Sequence, residues 1–330
     1  LNAGFDLTFF KNKFSFSGDY FEKNISGLLF TPSLSLYLGT AQSPTANIGT
    51  TKTSGYDFSL GFTDKVNSKL NLSTNVTFTT ATNLVTETNN GLITGGGYGI
   101  PSQSVTRFEA GDTPGYFYGH KTNGLFQNQA EITAAASQPG AKPGDIRYVD
   151  LNGDNKIDGD DRTKIGDPFP NFTLGWGLSI NYKNFDLNSF VYASIGNDIY
   201  RAYERNLAMT NKYRGVLARW TGEGSTNNAQ NPRYTFTDGN NNTRVSDRYV
   251  EDGSFIKIKD FQLGYTLPAT VFKNKSFSKF RIYTQVKNAF TFTKYSGYDP
   301  EISGGIFDTG IDRGAYPQAR TWSMGLDVKF

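Results

Sequence analysis

Nine segments of this chain alternate, residue by residue, between large apolar and small polar side chains, and the connections between them are sorted by length. The clearest run is Phe172, Leu174, Trp176, Leu178, Ile180 and Tyr182, interleaved with Thr173, Gly175, Gly177, Ser179 and Asn181. A period of two is the mark of a strand whose two faces meet different surroundings. The pattern predicts strands near 2–10, 14–22, 53–63, 69–80, 171–182, 185–196, 255–266, 280–293 and 320–330. Tilted strands of about 9–11 residues cross a bilayer core, whereas globular strands average about 5–6. Ile256 and Ile258 fall out of phase with Phe261 and Leu263, so a β-bulge is expected near Lys259-Asp260.

The connections decide between a soluble and a membrane sheet. Residues 11–13, 64–68, 183–184 and 267–279 are short, and residues 23–52, 81–170, 197–254 and 294–319 are long, in strict alternation. In an up-and-down antiparallel sheet, alternate connections lie at opposite ends, so every long one falls on one side. A β-sandwich has no reason to sort its loops this way. An outer-membrane barrel does, with short periplasmic turns and long extracellular loops. Thr173, Ser179, Asn181 and Asn188 would then line a hydrated lumen. Nine is an odd number, while a bacterial barrel with both termini in the periplasm has an even one. The chain is therefore expected to be a C-terminal portion of a larger barrel, with earlier strands and any plug supplied elsewhere.

Composition agrees and removes alternatives. Phe 27, Tyr 19 and Trp 3 stand in a chain only 37% hydrophobic, with a mean hydropathy of −0.48. No apolar run is long enough for a transmembrane helix, which says nothing against a barrel. Thirty-three Lys and Arg against thirty Asp and Glu are scattered, leaving no nucleic-acid footprint. Zero cysteine removes thiol catalysis and zinc ribbons, and His120, the single histidine, reads as a loop residue without chemistry.

The most specific chemistry in the loops is the segment DLNGDNKIDGDD at 150–161. Asp150, Asn152, Asp154, Asp158 and Asp161 stand at positions 1, 3, 5, 9 and 12 of a calcium loop, with the Lys156 carbonyl at position 7. Oxygen ligands at this spacing let one short loop wrap a hard cation, and a structural Ca2+ is expected here. Asn155 replaces the usual turn glycine and Asp161 the bidentate glutamate, and no helix pair flanks the loop, so no calcium switch is read. Four tyrosines, Tyr116, Tyr118, Tyr295 and Tyr298, are taken as exposed and able to stack on a sugar ring. Asp158 with Asp160, or Asp299 with Glu301, could mimic a glycosidase pair, but nothing in the spacing makes them converge. Gly95-Gly96-Gly97-Tyr98-Gly99 lacks the Lys and Ser/Thr of a phosphate loop. Short helices are expected at 128–137 and 201–214.

Several stretches resemble the SusC/RagA class of TonB-dependent outer-membrane transporters. They are Gly144-Asp145-Ile146-Arg147-Tyr148, the run from 150 to 187, RYVEDGSFIKIKDFQLGYTLP at 248–268, KNAFTFTKYSGYDPE at 287–301 and GAYPQARTWSMGLDVKF at 314–330. The opening thirty residues resemble that family's mid-barrel strands, so the similarity runs the length of the chain. The calcium-like loop fits the family pattern apart from Asn155. The resemblance implies an all-β, transmembrane antiparallel barrel of 22 strands, of which these would be the last nine, and an N-terminal plug on the missing portion. It also implies a SusD-like surface lipoprotein as lid, energy coupling through TonB, ExbB and ExbD, and import of oligosaccharides or peptides across the outer membrane of a Gram-negative bacterium of the Bacteroidota. The strand from Trp322 to Phe330 resembles an aromatic-terminated barrel-assembly signal. The chain is not expected to be an enzyme. A calcium-stabilised surface adhesin, for which the loops would be the working part, is the alternative.

Overall fold

The structure is a computed structural model that describes residues 1–30, 45–47, 49–88, 92–96, 104–204, 214–271 and 278–329. Gly97 to Gly99, most of 201–214, and Phe330 lie outside the described residues. The fold is all-β, built on one nine-stranded antiparallel sheet in which every strand pairs with its neighbours in sequence. Its strands are β1 (Asn2–Phe9), β2 (Phe14–Ile25), β3 (Gly49–Asn67), β4 (Leu70–Thr88), β5 (Phe172–Tyr182), β6 (Phe185–Ile195), β7 (Phe255–Thr266), β8 (Lys279–Thr293) and β9 (Thr321–Lys329). β1 and β9 are the two edges and do not pair with each other, so the wall is not closed by these strands. Among the described residues no helix is long and apolar enough to cross a membrane.

Register turns the alternation into two surfaces. Leu7, Phe16, Leu60, Val76, Trp176, Val191, Ile258 and Phe290 are successive cross-strand partners, one apolar row over eight strands. On the other face, Thr63, Ser73, Ser179, Asn188, Gln262, Gln285 and Ser323 form an equally continuous polar row. Large side chains of the apolar face stand in the open: Trp322 is 72% exposed and Met324 83%. Such a face is costly in water and favourable against hydrocarbon. The expected bulge is present. Lys259 is skipped between Ile258 and Asp260 in the pairing with β6, and two residues of β8, Asn288 and Ala289, oppose it. Asn288 takes φ +52°, a conformation asparagine tolerates better than most residues. The bulge keeps Ile256 and Ile258 on one face with Phe261 and Leu263.

Two strands exceed their expected length by seven residues or more. β3 and β4 run for 19 residues each, still paired at Gly49 and Thr88. Beyond residue 80 the lipid-type alternation fades, but backbone pairing continues as a ribbon past the apolar band. The β3–β4 turn is tighter than expected, Ser68-Lys69 alone, and the expected Lys183-Asn184 turn joins β5 to β6 with Lys183 at φ +53°. The helix expected at 128–137 is present as Gln129–Ala134. The Asn128 side chain caps it by accepting from the Glu131 N–H at 3.1 Å.

The buried core lies beside the wall, in the long connections. Residues 162–166, 116–120, 106–108 and 93–95 form a four-stranded antiparallel sheet in that order. Residues 198–201 pair with 250–252 and, in parallel, with 311–312. Val105, Phe117, Tyr200, Ala202, Val245, Tyr249 and Ile311 make one apolar cluster, drawn from three connections. Leu125, Ile146, Tyr148 and Ile157 make a second, against Trp220. Three loops far apart in sequence thus fold as one layer at one end of the sheet.

Candidate functional site

Among the described residues, the layer holds the loop at 150–161, the four tyrosines, His120, Asp299 and Glu301, and does not gather them in one place. The segment 150–161 winds into a turn held by its own side chains. Asp150 accepts from the Gly153 and Asn155 N–H groups at 2.7 and 2.8 Å, Asn152 from Asp154 at 3.0 Å, and Asp154 from Lys156 at 3.1 Å. Asn155 has φ +62°, which explains how it stands where glycine is usual: asparagine is the other residue that takes the left-handed turn at little cost. Asp161 is fully buried and closes the loop, accepting from Leu151 N–H and Asp158 N–H at 2.8 Å each. The Lys156 ammonium bridges Asp158 at 2.7 Å and Asp154 at 3.3 Å. Those contacts raise the Lys156 pKa and lower that of Asp158. Among the described residues no three Asp, Glu, His or Cys side chains converge as a metal-binding group. The donors are of the right kind and order for a hard cation, with the lysine side chain across two of them.

His120 anchors that loop. It is 7% exposed, with Nε2 2.8 Å from the Asp158 carbonyl oxygen and Nδ1 3.4 Å from the Val245 carbonyl oxygen. Burial lowers its pKa against the pull of those carbonyls; with the ring proton on Nε2, that nitrogen donates to the Asp158 carbonyl. Instead of an idle loop residue, it is a tie between three segments.

The four tyrosines do not form one platform. Tyr116 and Tyr295 are buried, 3% and 5% exposed, which corrects the expectation that they are free to stack. Tyr116 donates to Glu109 at 2.9 Å and Tyr295 to Asp312 at 2.5 Å. Burial first, and then those carboxylates, push both hydroxyl pKa values up. The Tyr118 ring is covered by the Arg107 guanidinium 3.2 Å from its centroid, and its hydroxyl donates to the Arg162 carbonyl. Only Tyr298, 80% exposed, stands free of the four.

Asp299 and Glu301 do come together, but around lysines. Lys257, 1% exposed, places Nζ 3.0 Å from Asp299 and 2.9 Å from Glu301, and Lys259 reaches Glu301 at 2.6 Å. Burial alone would raise both carboxyl pKa values. Bonds from the Glu301 N–H and Lys257 to Asp299, and from Lys259 and Lys257 to Glu301, override it and hold both below the usual range. A glycosidase pair needs one carboxyl kept protonated near neutrality, and this arrangement favours the opposite. Asp158 and Asp160 belong to the calcium-type loop, where Asp158 accepts from the Asp160 N–H at 2.9 Å.

Two features were not read from the sequence. Asp145, fully buried, accepts from Arg233 at 2.6 Å and Asn242 at 2.9 Å, while Gln138 donates to Asn240 at 2.8 Å. The three asparagines at 240–242 look like a solvated turn because their partners lie about a hundred residues away. Beside them is a cleft of about 120 Å³ lined by Arg219, Arg233, Tyr234, Phe236, Glu204 and Arg248. Phe236, 75% exposed, packs edge-on to Tyr234 at its rim. An aromatic following a basic and polar stretch is too common a signal to have marked it.

No family model matches the chain. Along its whole length it is 32% identical to the TonB-dependent receptor P3 of Formosa agariphila and 25% identical to the TonB-dependent receptor SusC of Bacteroides thetaiotaomicron. It covers 34% and 31% of those proteins. The fold matches a chain of the RagAB peptide transporter with a TM-score of 0.76 and one of the RagAB peptide importer in its open-open state with 0.74. Identity there is 20% and 21%, over all of this chain and 34% of each match, so these likenesses speak for the fold: a stretch of the same barrel wall. By sequence the chain is similar to TonB-dependent receptors, SusC among them, and spans about a third of their length.

Proposed function

We propose that this chain is the C-terminal wall of an outer-membrane importer, with the long connections outside the cell and the short turns in the periplasm. The similarity over the whole chain to TonB-dependent receptors carries the reading, and the apolar and polar rows of the sheet fit it. Earlier strands completing a 22-stranded barrel, and a plug, belong to the rest of the same protein. A SusD-like lipoprotein closes over the loop layer, and TonB with ExbB and ExbD moves the plug. The cargo is an oligosaccharide or a peptide. The cleft at Tyr234 and Phe236 and the exposed Tyr298 offer aromatic faces among hydrogen-bonding groups, which suits either. Asp150, Asn152, Asp154, Asp158, Asp161 and the Lys156 carbonyl would hold a structural Ca2+, once the Lys156 ammonium swings aside.

The test is to purify the full transporter with its partner from native membranes and identify bound ligand by mass spectrometry. A co-purifying lipoprotein with a glycan or peptide supports the reading. A surface protein recovered alone, whose loss abolishes attachment but no nutrient uptake, would favour the adhesin.

A further inference from the structure

The β1–β2 turn builds a groove that loop capture and transport do not use. Phe10, Lys11 and Asn12 all take left-handed backbone, with φ of 56°, 59° and 63°. That tight reversal throws the Phe10 ring outward, 72% exposed, to meet Phe14 at 5.8 Å, while Phe14 packs on Phe62 at 4.6 Å. Phe14 and Phe62 lie on the same sheet face as Phe16 and Leu60, the apolar row. The groove, about 490 Å³, is lined by these three rings together with Lys11, Lys13 and Asp64. Lys13 pairs with Asp64 at 2.7 Å, and Lys11 is exposed with no carboxylate in ion-pair range among the described residues.

We infer that this groove seats one anionic phospholipid of the periplasmic leaflet, its acyl chain on the phenylalanines and its phosphodiester between Lys11 and Lys13. The inference rests on the barrel reading above, which puts the short turns at that leaflet. Charge supports one occupant: two ammoniums and one carboxylate leave a net charge of +1, complementary to the single negative charge of a phosphatidylglycerol headgroup. Aromatic rings at the edge of an apolar band sit at headgroup level, and Lys11 and Lys13 are there to meet the phosphate. The other short turns repeat the theme more sparsely. Lys69 is exposed, and Lys183 lies 5.3 Å from the exposed Tyr182 ring.

The experiment is native mass spectrometry of the full transporter, in detergent, with phosphatidylglycerol or phosphatidylcholine of identical acyl chains. Preferential retention of phosphatidylglycerol is expected, falling about fivefold for each lysine removed, the factor one basic residue near a membrane surface contributes. Lys11→Gln alone leaves the Lys13–Asp64 pair intact and guards against misfolding of the Lys11→Gln/Lys13→Gln variant. Equal retention of the two lipids by the unaltered protein, or a preference unchanged in both variants, would overturn the assignment. So would displacement of the lipid by an equal concentration of inorganic phosphate. Outer-membrane fractionation and heat-modifiable gel mobility report the barrel separately, so failure of that reading is distinguishable from failure of the lipid site.

Discussion

The Lys257 ammonium, on a barrel strand, lies 3.0 Å from the Asp299 carboxylate, on the last long loop, and is 99% shielded from solvent in a pocket it shares with Glu301. A buried cation is tolerated only when paired, so this contact ties the loop at 294–319 to the wall.

Lys257→Met should therefore release that loop while leaving the barrel folded. Removing one partner of a buried ion pair costs about 3–5 kcal/mol. Hydrogen exchange at 294–319 should accelerate, with heat-modifiable mobility unchanged. Because Asp299 and Glu301 are held below their ordinary pKa values, their contribution is full above about pH 4.5 and is lost as pH falls further, through the folded values. Loop protection that persists at pH 3 would contradict this.

His120 gives a second pH dependence, at milder acidity. Its folded pKa is depressed by burial below 6.5, so the unfolded chain binds the proton more readily. Its contribution is full above about pH 6.5 and declines as pH falls below that. Thermal melting of the loop layer should drop between pH 7 and pH 5 in the unaltered protein, and drop less in His120→Gln.

Asp161→Ala should open the calcium-type loop whether or not the ion is bound, because two N–H groups lose their acceptor. Each orphaned donor costs about 1–3 kcal/mol. Limited proteolysis should cut within 150–161 in this variant. In the unaltered protein, Ca2+ should slow that cleavage and a chelator restore it; cleavage indifferent to both would refute the ion.

A charge distinguishes the two faces of the wall. Val191 sits in the apolar row and Asn188 in the polar one, three residues apart on β6. Val191→Lys should cost about 2–4 kcal/mol of folding in bilayers, as a lysine at the midplane does, and Asn188→Lys far less. Urea titration in lipid vesicles measures both.

The wall was legible because its signal is local. An apolar face on one side of the sheet and a polar face on the other write the alternation into each strand, and even the bulge at Lys259 shows as a break in phase. Residues 49–52 of β3 and 81–88 of β4 were not legible, since the alternation fades there while pairing continues. The layer of loops was opaque for another reason. Phe117, Val245 and Ile311 meet only after three connections fold together, so an aromatic such as Tyr116 reads the same whether it will be buried or exposed. The calcium-type loop lies between these cases: its backbone follows from twelve consecutive residues, but the reach of the Lys156 side chain across it does not.

Because these 330 residues contain no cysteine, single thiols placed in them, with any cysteine in the rest of the transporter replaced by serine, can report sidedness, the claim on which the rest depends. In intact cells expressing the full transporter, a membrane-impermeant maleimide should label Tyr298→Cys on the long-loop side at once. It should label Ser68→Cys, in the β3–β4 turn, only after the outer membrane is permeabilised. Labelling of Ser68→Cys in intact cells, or protection of Tyr298→Cys until permeabilisation, would contradict an outer-membrane wall with its loop layer facing outward.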